Sequence, residues 1–365
     1  LKGVPGARQM IKDREGDTVS AFRHVRSAEP GRRLQLSIDL RIQYLAYRAL
    51  KRAVRKAGAA SGSRVVVDVA SGDVLALVNQ PSFNPNNRAE LKPANMRNRA
   101  FVDVIEPGST VKPFTVVAAL ESGRYTPQTR IDTNPGYIRV GRKIQRDHHN
   151  YGVLDVTGLI TKSSQVATTK IALSLEPETI RSVFYRVGLG QTSGLGFPGE
   201  AVGVLPNRPR WRDIERATFA FGYGLSVTPL QLVQAYHVLA NEGVKKSLRL
   251  VMDQPLEPGV LVIEATVDRQ DLAMLKTVTE EGGTATRAAI PAYSIAGKTG
   301  ADERFSWSGR FFLFPLRSDG QVSVENVHLA EYAPFYQDFV NLEIEDGVVA
   351  LSSEYRLHYD GTNNV

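Results

Sequence analysis

The chain has 365 residues, 42% of them hydrophobic, enough to bury one large core or two modest ones; it has no cysteine, which excludes a disulfide scaffold and thiolate metal sites. Its net charge of +7 is spread along the length and suits anionic surroundings, while no interleaved basic and aromatic stripe points to a nucleic-acid partner. No run is long and apolar enough to span a bilayer and no signal peptide opens the sequence, which starts in mid-phrase at Leu1-Lys2-Gly3 and is expected to be a soluble portion excised from a longer protein.

Residues 1–36 are rich in charge and turn formers and read as loops and short strands. Asp39 is placed to cap a helix whose apolar positions Ile42, Leu45, Ala46, Ala49, Leu50 and Val54 share one face, with Gly58 ending it. The β-branched runs Arg64 to Val69 and Asp73 to Val78, joined by Ala70-Ser71-Gly72, predict a hairpin. A long turn-rich stretch from Asn79 to Asn95 then leads to Glu106-Pro107-Gly108-Ser109-Thr110-Val111-Lys112-Pro113-Phe114.

This last stretch organises the chain. Pro107 and Gly108 stop what precedes it, and Thr115 to Leu120 supply an apolar run that can be buried as a helix. Ser109 and Lys112 stand at i and i+3, one helical face, so the lysine amine can reach the serine hydroxyl. A neutral amine there activates the hydroxyl as a nucleophile, and burial together with a second cation can keep Lys112 neutral. The helix start also aims backbone N–H groups at an oxyanion formed beside it. Taken alone, Ser-x-x-Lys also occurs on solvated helix surfaces.

Irregular hairpins are expected over residues 126–149. Asp147-His148-His149 invites a metal reading, but adjacent histidines on a strand point to opposite faces, which favours structural roles. Asp155 to Leu173 reads as a helix carrying Ser163-Ser164-Gln165, and Pro177 opens another that Gly188 closes. The glycine-rich run Gly188 to Glu200 looks like a phosphate cradle, yet it follows a helix and lacks a P-loop lysine, so a nucleotide site is not expected. Thr228-Pro229 starts a helix with Leu232, Val233, Tyr236, Leu239 and Ala240 as its apolar positions. Asp268 to Glu281 predicts a further helix. Tyr293 to Thr299 reads as a strand bearing Lys298, with Gly297 and Gly300 leaving room for a substrate backbone along its edge.

Ser109-x-x-Lys112, then Ser163-Ser164-Gln165, then Lys298-Thr299-Gly300 reproduces the Ser-x-x-Lys, Ser-x-Asn, Lys-Thr-Gly order of penicillin-binding proteins and class A β-lactamases. Together with Arg97-Asn98-Arg99-Ala100, the stretch 106–114 and the opening hairpin followed by Pro81-Ser82-Phe83-Asn84-Pro85-Asn86, it makes the chain resemble the transpeptidase domain of a class B penicillin-binding protein of the division-specific type, over most of residues 1–300.

The resemblance implies a mixed α/β domain of the α+β type, the fold shared with serine β-lactamases: a mostly antiparallel sheet flanked by helices, and an all-helical lobe carrying Ser109, Lys112 and Ser163. Residues 1–36 would end an N-terminal pedestal, 37–340 would form the transpeptidase domain and 341–365 an extension of unknown role. The implied activity is D,D-transpeptidation of peptidoglycan stem peptides through a serine acyl-enzyme, with β-lactams as acylating inhibitors. Ser109 would attack, Lys112 take its proton and Ser163 relay it to the leaving amine. Lys298 and Thr299 would hold the substrate carboxylate, with Gln165 and Gly300 beside the substrate and the N–H of Ala301 completing an oxyanion hole. No metal or organic cofactor is implied. A glycosyltransferase and other division-complex proteins are the implied partners, and the periplasmic face of the bacterial inner membrane is the implied location, with an anchor in the full-length protein.

Two positions depart from the family pattern. Gln165 stands where asparagine is usual, one methylene longer with the same amide, and Ala301 stands where threonine or serine usually helps hold the carboxylate. A serine β-lactamase or carboxypeptidase, and a weakly active scaffold or β-lactam sensor of a division complex, are the alternative readings. Beyond 300, Phe311 to Pro315 and Val322 to Leu329 read as a hairpin turning at Arg317-Ser318-Asp319-Gly320, Tyr332 to Phe339 loosely as a closing helix, and Val340 to Val365 as strands.

Overall fold

The computed structural model describes residues 2–300, except 88, 90, 256, 291 and 292 and the side chains of 21–24; beyond 300 it describes the backbone of three strands. Near the start, β1 (Ala7–Lys12) and β2 (Thr18–Arg26) pair antiparallel about Asp13, whose carboxylate accepts from the N–H groups of Glu15 and Asp17 at 3.0 and 2.8 Å. Every residue of β1 is exposed.

Helix α1 (Leu40–Ala57) begins where predicted: the Asp39 carboxylate accepts from the N–H groups of Arg41 and Ile42, and Gly58 ends it in the left-handed region at φ 61°. It lies on the hairpin of β3 (Gly62–Val67) and β4 (Val74–Gln80), with Ala46 buried against Ala76 and Val78. Leu45, expected to face inward, is 63% exposed, because one two-stranded pair covers a stripe narrower than the apolar face of α1.

Two short helices, α2 (Pro93–Met96) and α3 (Arg99–Val102), lead to a 3-10 turn, Gly108–Val111, which runs into α4 (Lys112–Glu121). Every residue of α4 from Lys112 to Leu120 is buried, so it forms the axis of the main core. Around residues 130–155, the hairpin of β6 (Tyr137–Val140) and β7 (Lys143–Arg146) is nested within the pair of β5 (Arg130–Asp132) and β8 (Val153–Asp155).

The helix expected over 155–173 is two helices, α5 (Val156–Lys162) and α6 (Gln165–Ser174). Ser163 breaks them apart in the left-handed region, at φ 57° and ψ 38°, and Ser164 caps the second by accepting from the N–H of Ala167 at 3.0 Å. No glycine or proline signals the break. Helix α7 (Pro177–Arg186) follows, with Ile180, Val183 and Phe184 inward as expected, and then α8 (Asp213–Ala220).

Helix α9 (Pro229–Ala240) opens with a Thr228/Gln231 capping box. Its buried face differs from the expected one: Gln231, Gln234 and His237 lie inside with Leu230, Ala235, Val238 and Leu239. These polar groups are tolerated there because each finds a backbone carbonyl, Gln191 and Val202 for Gln231, Lys246 for Gln234, and Val69 for His237. The short pair β9 (Val244–Lys245) and β10 (Val260–Leu261) precedes α10 (Ala265–Thr277), which packs on α4, α5 and α9.

Residues 293–300 form no strand. Their fixings are single bonds, the N–H of Gly297 to the carbonyl of Leu275 and the hydroxyl of Thr279 to the carbonyl of Ile295, rather than a ladder. Beyond 300, β11 (Arg304–Leu313), β12 (Leu316–His328) and β13 (Val348–Tyr359) form an antiparallel sheet in that order. The turn expected at 317–320 lies inside β12: Arg317 pairs with Phe312, and Gly320 pairs with both Gly309 and Tyr355. With Leu313 opposite Leu316, the reversal comes before β12 rather than within it. Tyr332 to Phe339 lies outside the described residues.

Candidate active site

The 3-10 turn that carries Ser109 is clamped to the segment preceding α9. Ile105 and Val227 exchange two backbone hydrogen bonds of 2.9 Å, the Gly108 N–H donates to the Gly222 carbonyl at 3.1 Å, and the Gly224 N–H donates to the Glu106 carboxylate at 2.9 Å. Gly222, at φ 94°, has no room for a side chain, since a Cβ there would lie 2.5 Å from the Gly108 nitrogen. Within the turn, the Thr110 hydroxyl donates to the Pro107 carbonyl at 2.6 Å, and the Lys112 N–H donates to the Ser109 carbonyl.

Lys112 therefore starts α4 one turn after Ser109, with its side chain fully buried. Its amine donates to the carbonyl of Ser163 at 2.5 Å and to the hydroxyl of Ser163 at 3.2 Å. The amine of Lys298 reaches the same hydroxyl at 2.8 Å, and also the carbonyl of Thr299 at 3.0 Å. Burial lowers the Lys298 amine to about 8. A serine oxygen has two lone pairs, so Ser163 can accept from both lysines and keep its own proton to donate.

The break between α5 and α6 is what makes this possible. The left-handed turn at Ser163 puts carbonyl and hydroxyl together before the Lys112 amine, and Asp147 holds the next turn in place. The Asp147 carboxylate accepts from the Ser164 hydroxyl at 2.7 Å and from the N–H groups of Gln165 and Val166 at 2.5 and 3.0 Å. So Asp147 is a helix anchor, the structural role expected of its neighbourhood. No cluster of three or more metal-ligating side chains occurs among the described residues.

Gly300 closes the site from the other side: a Cβ on it would lie 3.3 Å from the Thr110 methyl, so the 298–300 segment lies directly on the turn that carries Ser109. The Thr299 and Thr284 hydroxyls are bonded at 2.9 Å. A Cβ on Gly297 would meet open space. Gln165 is the first residue of α6, partly exposed, two positions from Ser163. Ala301 lies outside the described residues. Ser109, Lys112, Ser163, Lys298, Thr299 and Gly300 are thus brought together across almost two hundred residues of sequence. Sequence reasoning gave Asp147 a structural role without finding what it holds, and read Tyr236 only as an apolar position, although its hydroxyl donates to the Thr110 carbonyl at 2.7 Å. A lone tyrosine on an apolar helix face carries no signal of such a bond.

Residues 62–310 match the model of the penicillin binding protein transpeptidase domain. The chain belongs to this transpeptidase family. The chain is 40% identical over 309 residues to the probable peptidoglycan D,D-transpeptidase PbpC of Pseudomonas aeruginosa, covering 85% of this chain and 55% of that protein. It is 42% identical over 311 residues to the peptidoglycan D,D-transpeptidase FtsI of Escherichia coli, covering 85% and 52%. The chain thus spans about half the length of these two relatives. Among solved structures, the apo transpeptidase domain of Burkholderia pseudomallei penicillin-binding protein 3 superposes with a TM-score of 0.67 at 38% identity, covering 80% of this chain and 84% of that one. The expected fold is therefore that of the penicillin-binding-protein transpeptidase domain.

Proposed function

We propose that this chain is the acyl-transferring unit of a peptidoglycan D,D-transpeptidase of septal wall synthesis. The observation that carries this reading is the sharing of one serine hydroxyl by two lysine amines, one buried and one partly buried, one turn from a second serine at the start of a helix.

In this reading Ser109 Oγ forms a bond to the penultimate D-alanine carbonyl of a stem peptide, and its proton passes to Lys112. Lys112 is fully buried, and its amine and that of Lys298 meet at the Ser163 hydroxyl. Ser163, bonded to Lys112, passes a proton to the departing D-alanine amine as the C–N bond breaks. The acyl group stays on Ser109 until the amine of a second stem peptide attacks it and the same relay runs in reverse. Lys298 and Thr299 hold the terminal carboxylate, Gln165 and Gly300 border the peptide, and the N–H groups of Ser109 and Ala301 receive the oxyanion. β-Lactams acylate Ser109 by the same steps.

On this reading 37–340 is the catalytic unit, 1–36 the end of a pedestal and 341–365 an extension. The whole protein works at the periplasmic face of the inner membrane, anchored by a segment outside this chain, beside a glycosyltransferase and other division proteins. Intact mass after addition of a penicillin, with peptide mapping, tests the chemistry. A stable one-to-one adduct on Ser109, absent in Ser109→Ala, is expected. Rapid turnover of the adduct would favour a hydrolase, and no adduct on folded protein would sink the assignment.

A further inference from the structure

An open cavity of about 480 Å³ is bordered by the loop after α7, by α9 and by β9 and β10, and none of Ser109, Lys112, Ser163 or Lys298 lines it. That volume suits a small organic molecule. Its charge is one-sided. Arg186, Lys245 and Lys246 line it, and no carboxylate does among the described residues. Arg186 is already paired with Glu121, and the Lys246 amine donates to the Ala70 carbonyl at 2.7 Å. Lys245 differs from both: it is partly buried, its bond is a long one of 3.4 Å to the neutral amide oxygen of Gln191, and no carboxylate pairs with it among the described residues. Burial alone pushes its amine below the ordinary lysine range.

The space before this amine is built. Gly188 sits at φ 108°, where only glycine is comfortable, and a Cβ there would lie 3.5 Å from the Lys245 nitrogen and 3.1 Å from Gln234. Gln231 holds the following loop by donating to the Gln191 carbonyl at 2.6 Å. The glycine-rich loop, which in sequence lacks a lysine, thus receives one from β9.

We propose that this cavity binds a small organic oxyanion, a phosphate monoester or a carboxylate on an apolar body, with Lys245 as its counter-ion. A cationic ligand meets like charges at Lys245 and Lys246, and a neutral one leaves the partly desolvated ammonium uncompensated. An oxyanion forms a charge-assisted bond with Lys245, in a cavity whose lining also includes Thr192 and Ser193, with Val260 and Val262 as apolar surface.

Calorimetric titration with phenyl phosphate and with benzoate, using benzyl alcohol as the neutral control, tests this. Binding of at least one anion but not the alcohol is expected, with the tighter anion identifying the source. Lys245→Gln should weaken it about tenfold or more, Lys245→Arg should retain it, and Lys298→Gln should leave it unchanged. In the wild-type protein the bound anion should raise the titration midpoint of the Lys245 amine, read by NMR of its side-chain carbon. No binding up to ~10 mM, equal binding of the alcohol, or loss in Lys298→Gln instead of Lys245→Gln would overturn the proposal.

Discussion

The Tyr236 phenol, in the middle of α9, donates to the Thr110 carbonyl 2.7 Å away, on the turn that presents Ser109. Tyr236→Phe keeps the ring and its edge-on contact with Phe114 but leaves that carbonyl without its donor. A loss of about 1–2 kcal/mol in unfolding free energy is expected, with slower penicillin acylation as the turn loosens. An unchanged acylation rate in a destabilised variant would show that the bond serves the fold alone.

Ser163→Gly and Ser163→Ala separate backbone from hydroxyl. Both remove the acceptor shared by Lys112 and Lys298, so acylation should fall by about 10²–10⁴ in each. Their stabilities should differ. Glycine is at ease at φ 57°, and alanine there costs on the order of 1 kcal/mol. Denaturant midpoints and acylation rates measured on the same two variants check both halves.

Lys298 should set the alkaline limb of acylation. An ordinary lysine stays charged to beyond pH 10, whereas burial brings this one to about 8. The second-order rate with an anionic β-lactam should therefore decline as pH rises through about 8, where the ammonium is lost. In Lys298→Arg the guanidinium stays charged and the decline should vanish. A wild-type plateau continuing to pH 10 would refute the assignment.

Asp268 and Asp271, one turn apart on α10, are buried with no hydrogen-bond partner on any of their four carboxylate oxygens among the described residues. Burial raises Asp268 to about 7 and Asp271 well above its ordinary value, each pushed further by a neighbouring acid. Acids raised on folding hold more protons in the folded state than in the unfolded one. Their contribution is therefore full below about pH 4 and is lost as pH rises through about 7, for Asp268 a change on the order of 4 kcal/mol. His237, lowered by burial, acts with the opposite sign below its unfolded value of 6.5. Urea unfolding of wild type and Asp268→Asn/Asp271→Asn at pH 5 and pH 8 isolates the pair. The wild type should lose more stability across that interval than the double variant.

Much of the fold is legible because its signals are local. Asp39, Gly58, Pro177 and Thr228-Pro229 terminate helices by chemistry contained within a few residues, and Ser109 and Lys112 share a face by spacing alone. The rest depends on partners far along the chain. The break at Ser163 is held by Lys112 and Asp147 and carries no breaker residue, so it reads as continuous helix. Gln231, Gln234 and His237 look like a solvated stripe until the carbonyls they meet are known.

The clamp between the Ser109 turn and residues 222–227 has a consequence for a chain made from one end. When Ser109 and Lys112 leave the ribosome, Gly222, Ser163 and Lys298 have not yet been joined to the chain. The nascent protein therefore carries a serine as unreactive as any other hydroxyl. On the proposed reading, its reactivity towards acyl groups comes only at the end, when the last lysine arrives and closes on a pocket that more than a hundred later residues have assembled.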